Sequence, residues 1–231
     1  MANKVKGRSQ TVKPIEQEAD EMDEQQGGIL AFIEENQRML LMVAGIVLLL
    51  VGGWFGYQYL QNSKDAEAQE EMIAAVRFFE ADSLNKALNG DGSFLGFIDI
   101  ADEYSGTSAG NMAKYYTGII YARQGDYATS VDYLNEVSGK GALLGMARYQ
   151  ALGYAYEGLE EWENAAESFE KAATTPEEGP LSPALLIKAG ENYEDAGDLD
   201  KALKVYTQIK EDFPSSAEAR NIEKYIARVA N

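Results

Sequence analysis

The side chains that most often perform enzyme chemistry are missing from this sequence. Its 231 residues include no histidine and no cysteine, which excludes Ser–His–Asp and Cys–His catalysis and thiolate metal sites. The acidic run Asp195-x2-Asp198-x-Asp200 offers oxygen ligands for calcium, but it lacks the loop glycine and the bidentate glutamate of an EF-hand. We therefore predict no catalytic residue, no metal site and no cofactor, and we expect that the protein is not an enzyme.

The acidic charge lies mainly in the C-terminal three-quarters of the chain. The whole sequence has 20 basic and 38 acidic residues, a formal net charge of −18. Residues 61–231 contain 30 of the acidic and 15 of the basic residues. Because binding to phosphates depends on cations, we expect no nucleic-acid partner. The electrostatic field of such a domain favours basic protein partners.

A long uncharged stretch precedes this acidic region. It runs from Met39 to Ser63 between Arg38 and Lys64, and a helix needs about 20 apolar residues to cross a membrane. We predict an uncleaved transmembrane helix over 39–60. A buried core helix and a cleavable signal peptide are the alternatives, but the apolar core is longer than that of a signal peptide and a polar segment precedes it.

Three glycines lie on nearly one face of this predicted span. Gly52 and Gly56 form a GxxxG pair, and Gly45 lies seven residues before Gly52. Small residues allow helices to approach closely in lipid, so this face is a candidate contact with a second copy or with another membrane protein. The alternative is that glycine is simply common in membrane helices.

The segments beside the span have different compositions. Residues 1–38 are polar and predict a mostly disordered tail. Residues 61–108 predict a linking helix, from about Asp65 to Leu88, and then a degenerate repeat in which 94–101 is the second helix. We favour the tail inside and the repeats outside, although basic residues within about 20 positions of the span do not support this orientation.

The remaining sequence, 109–231, repeats one pattern. A glycine is followed by a tyrosine three residues later and by a small residue 12 positions later, and the successive glycines are 35 and 37 residues apart. The units are Gly118-x2-Tyr121 with Ser130-x3-Leu134, Gly153-x2-Tyr156 with Ala165-x3-Phe169, and Gly190-x2-Tyr193 with Ala202-x3-Tyr206. This spacing is that of the tetratricopeptide repeat, a pair of antiparallel helices that buries its apolar face only by stacking on neighbours.

We therefore predict an all-α fold, with a single N-terminal transmembrane helix followed by a tetratricopeptide-type α-solenoid. It comprises about three clear repeats and a degenerate one. The turns inside the three hairpins are expected at Gly125-Asp126, Glu160-Glu161 and Gly197-Asp198. Residues 217–229 predict a C-terminal capping helix.

The layout resembles a bacterial inner-membrane family that includes the ancillary subunit of the SecYEG translocon. The similar residues are Gly96-Phe97-Ile98, Tyr104-Ser105-Gly106-Thr107 and the stretch from Asn111 to Gly118. The resemblance implies a single-pass inner-membrane protein with periplasmic repeats that bind translocon subunits and chaperones. The alternative is an adaptor or assembly factor for another envelope complex.

Repeat domains of this kind bind peptides on the concave face formed by their first helices. Those that clamp an acidic chaperone tail use lysine, asparagine and arginine there, whereas this chain has mainly aromatic, apolar and acidic residues at the matching positions. The candidate groove residues are Tyr115, Ile119, Gln150, Tyr154, Glu157, Glu191 and Glu194. We expect a partner segment with apolar and basic residues; the alternative is that these side chains only pack or face water.

Overall fold

The structure, a computed structural model, describes residues 35–138, 142–174 and 182–230. The predicted disorder of the tail falls almost entirely on 1–34, outside the described residues. All regular structure in the described ranges is helical, which confirms the predicted all-α class. The chain divides into two compact units, Met1–Tyr59 and Leu60–Asn231.

Helix α1, Gln37–Glu80, contains the predicted span. Its most apolar 18-residue window has a mean hydropathy of 2.3 and no buried residue. Leu49, for example, is 77% exposed. By length and composition the helix could cross a membrane, and its exposure does not fit a buried core helix.

The predicted linking helix over 65–88 is wrong in its C-terminal part, because α1 ends at Glu80 and a short helix α2, Leu84–Asn89, follows. Asp82 has a left-handed φ of 54°, a conformation that aspartate tolerates better than most residues. The N–H of Ser83 donates to the carbonyl oxygen of Phe78 at 2.9 Å. This bond caps the C-terminus of α1, and the chain turns there into α2.

The other helices follow in antiparallel pairs. Helix α3 covers Phe97–Glu103, α4 Ser108–Arg123, α5 Tyr127–Glu136, α6 Ala142–Gly158, α7 Trp162–Ala173, α8 Ser182–Asp195 and α9 Leu199–Asp212. The predicted capping helix begins as a 3-10 turn, Ala219–Asn221, and continues as α10, Ile222–Val229. Each helix from α3 to α7 packs on the next, α8 packs on α7 and α9, and α10 packs on α9.

Close contact between paired helices explains the repeated glycines. All three are buried, and a Cβ atom added to any of them would lie less than 3.0 Å from the second helix of its hairpin. The contacts join Gly118 to Leu134, Gly153 to Phe169 and Gly190 to Tyr206. The glycine position therefore allows the two helices of each hairpin to approach closely.

The three hairpin turns share one backbone conformation. Gly125, Glu160 and Gly197 have φ values of 82°, 59° and 80°. The next residue begins the second helix: Asp126 and Asp198 accept a backbone N–H as caps, and Glu161 does not. The middle hairpin therefore has the weaker turn, because a non-glycine residue is left-handed there and the cap is absent.

A corresponding turn with a left-handed residue, Asp82, shows where the degenerate repeat lies. Ala75 occupies the glycine position, Phe78 the tyrosine position, and Ala87, 12 residues after Ala75, the small position. Both alanines are fully buried. The first helix of this repeat is therefore the end of α1, and its second helix begins with α2. The second helix was predicted over 94–101. In the structure it begins earlier, with α2, and a further helix, α3, begins at Phe97 and packs on α2 and α4.

Candidate functional site

Three clefts lie between the first helices of successive repeats, which are the end of α1, α4, α6 and α8. The N-terminal cleft, of about 660 Å³, lies between α1 and α4 and is lined by Ala66, Met72, Ile73 and Met112 among others. The middle cleft, of about 950 Å³, contains Tyr115. The C-terminal cleft, of about 410 Å³, lies between α6, α8 and the capping segment.

The C-terminal cleft brings together three of the predicted groove residues. Gln150 and Tyr154 come from α6, and Glu191 comes from α8. Sequence reasoning missed the third wall, which the capping segment supplies through Glu218, Asn221 and Tyr225. Their position depends on the path of the chain after α9, which no local pattern in the sequence indicates.

Tyr154 presents an aromatic surface in this cleft. Its side chain is held by an edge-to-face contact with the buried Phe169, with 5.1 Å between ring centres. The ammonium group of Lys188 lies 5.7 Å from its ring centre. Tyr154 is nevertheless 45% exposed, so a large, oriented ring remains accessible to a partner.

Glu191 is a partly buried acidic group of the cleft. Within the described residues its carboxylate has no hydrogen bond and no ion pair. Burial raises the pKa of Glu191 above its usual range; Lys188 and Arg228 lower it, and the nearby Glu194 and Glu157 raise it further. A cationic group from a partner would supply the missing interaction with the ionised carboxylate.

The other two predicted acids already have structural partners. Glu157 accepts a hydrogen bond from the Asn192 side chain at 2.7 Å and contacts the Lys188 ammonium at 3.4 Å. Glu194 accepts from the Tyr206 hydroxyl at 2.6 Å and from the Arg228 guanidinium through both oxygens. These contacts tie α6 to α8 and α8 to α9 and α10. Their predicted role in partner binding stays a prediction.

The first two predicted groove residues lie apart from the C-terminal cleft. Tyr115 lines the middle cleft, and burial raises its pKa. Ile119 packs against the cluster formed by Leu134, Ala151 and Leu152. The predicted groove is therefore a series of clefts along one face, not a single pocket.

The glycine face of α1 has free space around it. A Cβ atom added to Gly45, Gly52 or Gly56 would meet no heavy atom within 4 Å, apart from the backbone of α1 itself and the adjoining residues. Within the described chain these glycines serve no tertiary packing. A contact with another membrane helix stays a prediction.

Sequence comparison agrees with the hairpin geometry. Sequence models of the tetratricopeptide repeat match residues 112–140, 149–181 and 184–216. These hairpins are tetratricopeptide repeats. The matches omit the degenerate repeat at the end of α1, and no curated protein matches the chain. Tetratricopeptide repeat domains are generally non-catalytic protein-binding scaffolds.

Proposed function

We propose that this protein is a membrane-anchored scaffold that binds partner proteins on the concave face of its tetratricopeptide repeats. The C-terminal cleft carries the proposal: the exposed ring of Tyr154 and the partly buried carboxylate of Glu191 line one opening. Aromatic side chains in partly desolvated pockets often contribute most of the affinity of a protein interface. The long apolar window of α1 supports the anchor.

The proposed place of this scaffold is the bacterial inner membrane, crossed once, with the repeats in the periplasm. The sequence resemblance to the translocon-associated family supports translocon subunits and periplasmic chaperones as partners. One observation favours the alternative of an adaptor for another envelope complex: the C-terminal cleft contains Glu191 and Glu218, and acids repel the acidic tails that a carboxylate clamp binds.

Photocrosslinking in intact membranes tests the scaffold and identifies the partner. A photoreactive residue at Tyr154 is compared with one at Glu167, which is exposed on a second helix, α7. We expect defined crosslinked proteins from position 154 and few from position 167. Translocon subunits or chaperones support the first assignment, and another envelope complex supports the alternative. Equal products from both positions would contradict the groove.

A charge-reversal variant tests the same cleft by a different route. Tyr154→Ala combined with Glu191→Lys should reduce partner recovery in a pull-down by about tenfold, because an aromatic anchor and a favourable charge are both lost. Glu167→Lys is the matched control, since it makes the same charge change outside the clefts. Unchanged recovery with the double variant, at unchanged thermal unfolding, would reject the cleft as the binding site.

Protease accessibility tests the proposed orientation. Protease added to spheroplasts should degrade the repeats if they face the periplasm. Protection of the repeats, with degradation only after detergent lysis, would place them on the cytoplasmic side.

A further inference from the structure

The concave face differs chemically between its two ends. At the N-terminal cleft, Ile73 is 60% exposed beside Met72 and Met112, and Glu70 is the only charged side chain among the described lining residues. Methionine side chains are flexible and adapt to varied apolar partners. This end therefore offers an apolar surface formed mainly by Ile73 and Met112, because Met72 is only 9% exposed.

The C-terminal cleft offers negative charge instead. Its described lining includes Glu191, Glu218 and Lys188. Lys188 already lies 3.4 Å from Glu157, so its charge is largely used within the protein. The carboxylates of Glu191 and Glu218 have no hydrogen bond or ion pair within the described residues, which leaves an acidic end with the aromatic rings of Tyr154 and Tyr225 beside it.

The two ends belong to one series of equivalent positions. The residue three before the glycine position is Met72 in the degenerate repeat, then Tyr115, Gln150 and Ile187 in the following repeats. The residue after the glycine position changes from Val76 to Ile119, Tyr154 and Glu191. The position after the glycine thus changes from apolar to acidic along the solenoid, whereas the position three before it is still apolar in the last repeat, at Ile187.

We propose that the concave face binds one segment of a partner protein in a fixed orientation. The apolar side chains of that segment occupy the N-terminal cleft, and its basic side chains pair with Glu191 and Glu218 in the C-terminal cleft. This inference rests on the scaffold function proposed above and adds its recognition rule: the partner segment has apolar and basic residues separated along its sequence. The end of α1 then serves directly in partner binding as the apolar end of the face.

Two synthetic peptides of identical composition test the rule. Each has about 18 residues, enough to span up to about 60 Å when extended; one has leucine and arginine in separate halves, and the other has them alternating. The full chain in lipid nanodiscs should bind the first peptide about fivefold more tightly by fluorescence anisotropy, because only that peptide satisfies both ends at once. Equal affinity would overturn the inference.

Crosslinking from the peptide locates its two halves. A photoreactive group in the basic half should label peptides containing 184–225, and one in the apolar half should label peptides containing 66–112. The same labelling from both halves would reject the fixed orientation but leave the scaffold function intact. Absence of binding by both peptides would contradict the inference, whereas partner crosslinks from position 154 in membranes would still support the scaffold.

Two substitutions, one in the C-terminal cleft and one in the N-terminal cleft, separate the electrostatic and the apolar contributions to binding. Glu191→Gln should weaken the segregated peptide about two- to fivefold at low salt and much less at high salt, because the lost contact is screened. Ile73→Asn should weaken it to a similar extent at both salt concentrations, because the lost contact is apolar. Glu167→Gln is the control and should change neither affinity. A reversal of the two salt dependences would overturn the assignment of the two ends.

Discussion

In the degenerate repeat, Phe97 is fully buried and stacks on Tyr116 with 4.9 Å between ring centres, and Phe79 meets Tyr116 edge-on at 5.2 Å. In the third repeat, the buried Tyr206 donates its hydroxyl to Glu194, which also holds Arg228. At the first end of the solenoid buried aromatic rings pack on one another, whereas at the last end a buried ring is also tied to a polar network centred on a carboxylate. The two ends should therefore respond differently to loss of volume and to pH.

The largest expected effect is on the aromatic end. Phe97→Ala should lower the free energy of unfolding by about 3 to 5 kcal/mol, since it removes a large buried side chain and leaves a cavity. Urea unfolding of the full chain in detergent, followed by circular dichroism, measures the loss. Phe94→Ala is the control, because Phe94 is 53% exposed; an equal loss for both variants would contradict this account.

Glycine-to-alanine substitutions compare the glycine position in two repeats. Gly190→Ala should cost about 1 to 3 kcal/mol, since its Cβ would press on the ring of Tyr206, which is held by Glu194. Gly118→Ala should cost less, because its Cβ would lie 2.7 Å from Leu134 and 3.2 Å from the Ser130 carbonyl oxygen, whereas at Gly190 the added Cβ would lie closer still to the Tyr206 ring. Unfolding midpoints measure both; a larger loss at Gly118 would show that the polar network does not fix the ring.

The polar end should weaken at alkaline pH. Burial and the hydrogen bond to Glu194 raise the pKa of Tyr206 above the ordinary tyrosine value of about 10. The unfolded chain then ionises this tyrosine first, so its contribution to stability is complete below pH 10 and is lost as pH rises toward the folded pKa. Tyr206→Phe should cost about 1 kcal/mol at pH 7.

The difference between wild type and Tyr206→Phe should then narrow above pH 10. Unfolding by urea at a series of pH values from 7 to about 11 tests this, since the unfolded tyrosine titrates near 10. A constant difference across that range would mean that the hydroxyl of Tyr206 is not held in its neutral form by the fold.

The smallest effect concerns the hairpin turns, where the middle repeat differs from its neighbours. Glu160→Gly should stabilise the protein by about 0.5 to 1 kcal/mol, because glycine adopts a left-handed φ without steric cost. Gly125→Ala should destabilise it by a similar amount, because Gly125 has a φ of 82° in the first hairpin. Thermal unfolding compares the two variants; destabilisation by Glu160→Gly would contradict the reading of this turn.

The sequence predicted the regular repeats because each of their signals is local. A glycine must contact the helix 12 to 16 residues later, and in two of the three hairpins a glycine followed by an aspartate marks the turn between the helices. The degenerate repeat was harder, because alanine and phenylalanine replace glycine and tyrosine, and because Asp82 and Ser83 interrupt a helical pattern that continues on both sides. The 12-residue spacing from Ala75 to Ala87 is nevertheless the same as the spacing from glycine to small residue in the regular repeats.

The clefts were only partly predictable for a different reason. Helical position indicates which residues face the concave side, and three of the candidates, Gln150, Tyr154 and Glu191, line one cleft. It does not indicate which acids find partners within the fold. Glu194 meets Arg228, 34 residues away, and Glu157 meets Asn192, 35 residues away, so their pairing depends on the stacking of whole repeats.

The continuity of α1 into the degenerate repeat decides where the chain can be cut. Asp65 accepts a hydrogen bond from the backbone N–H of Ala109 at the start of α4, at 2.8 Å, and Ala68 is fully buried. Proteolytic release before Asp65 would yield a fragment with all four repeats. Cleavage a few residues later would remove that bond together with the turn of α1 that contains Asp65 and Ala68. A secreted or recombinant form of these repeats must therefore begin before Asp65.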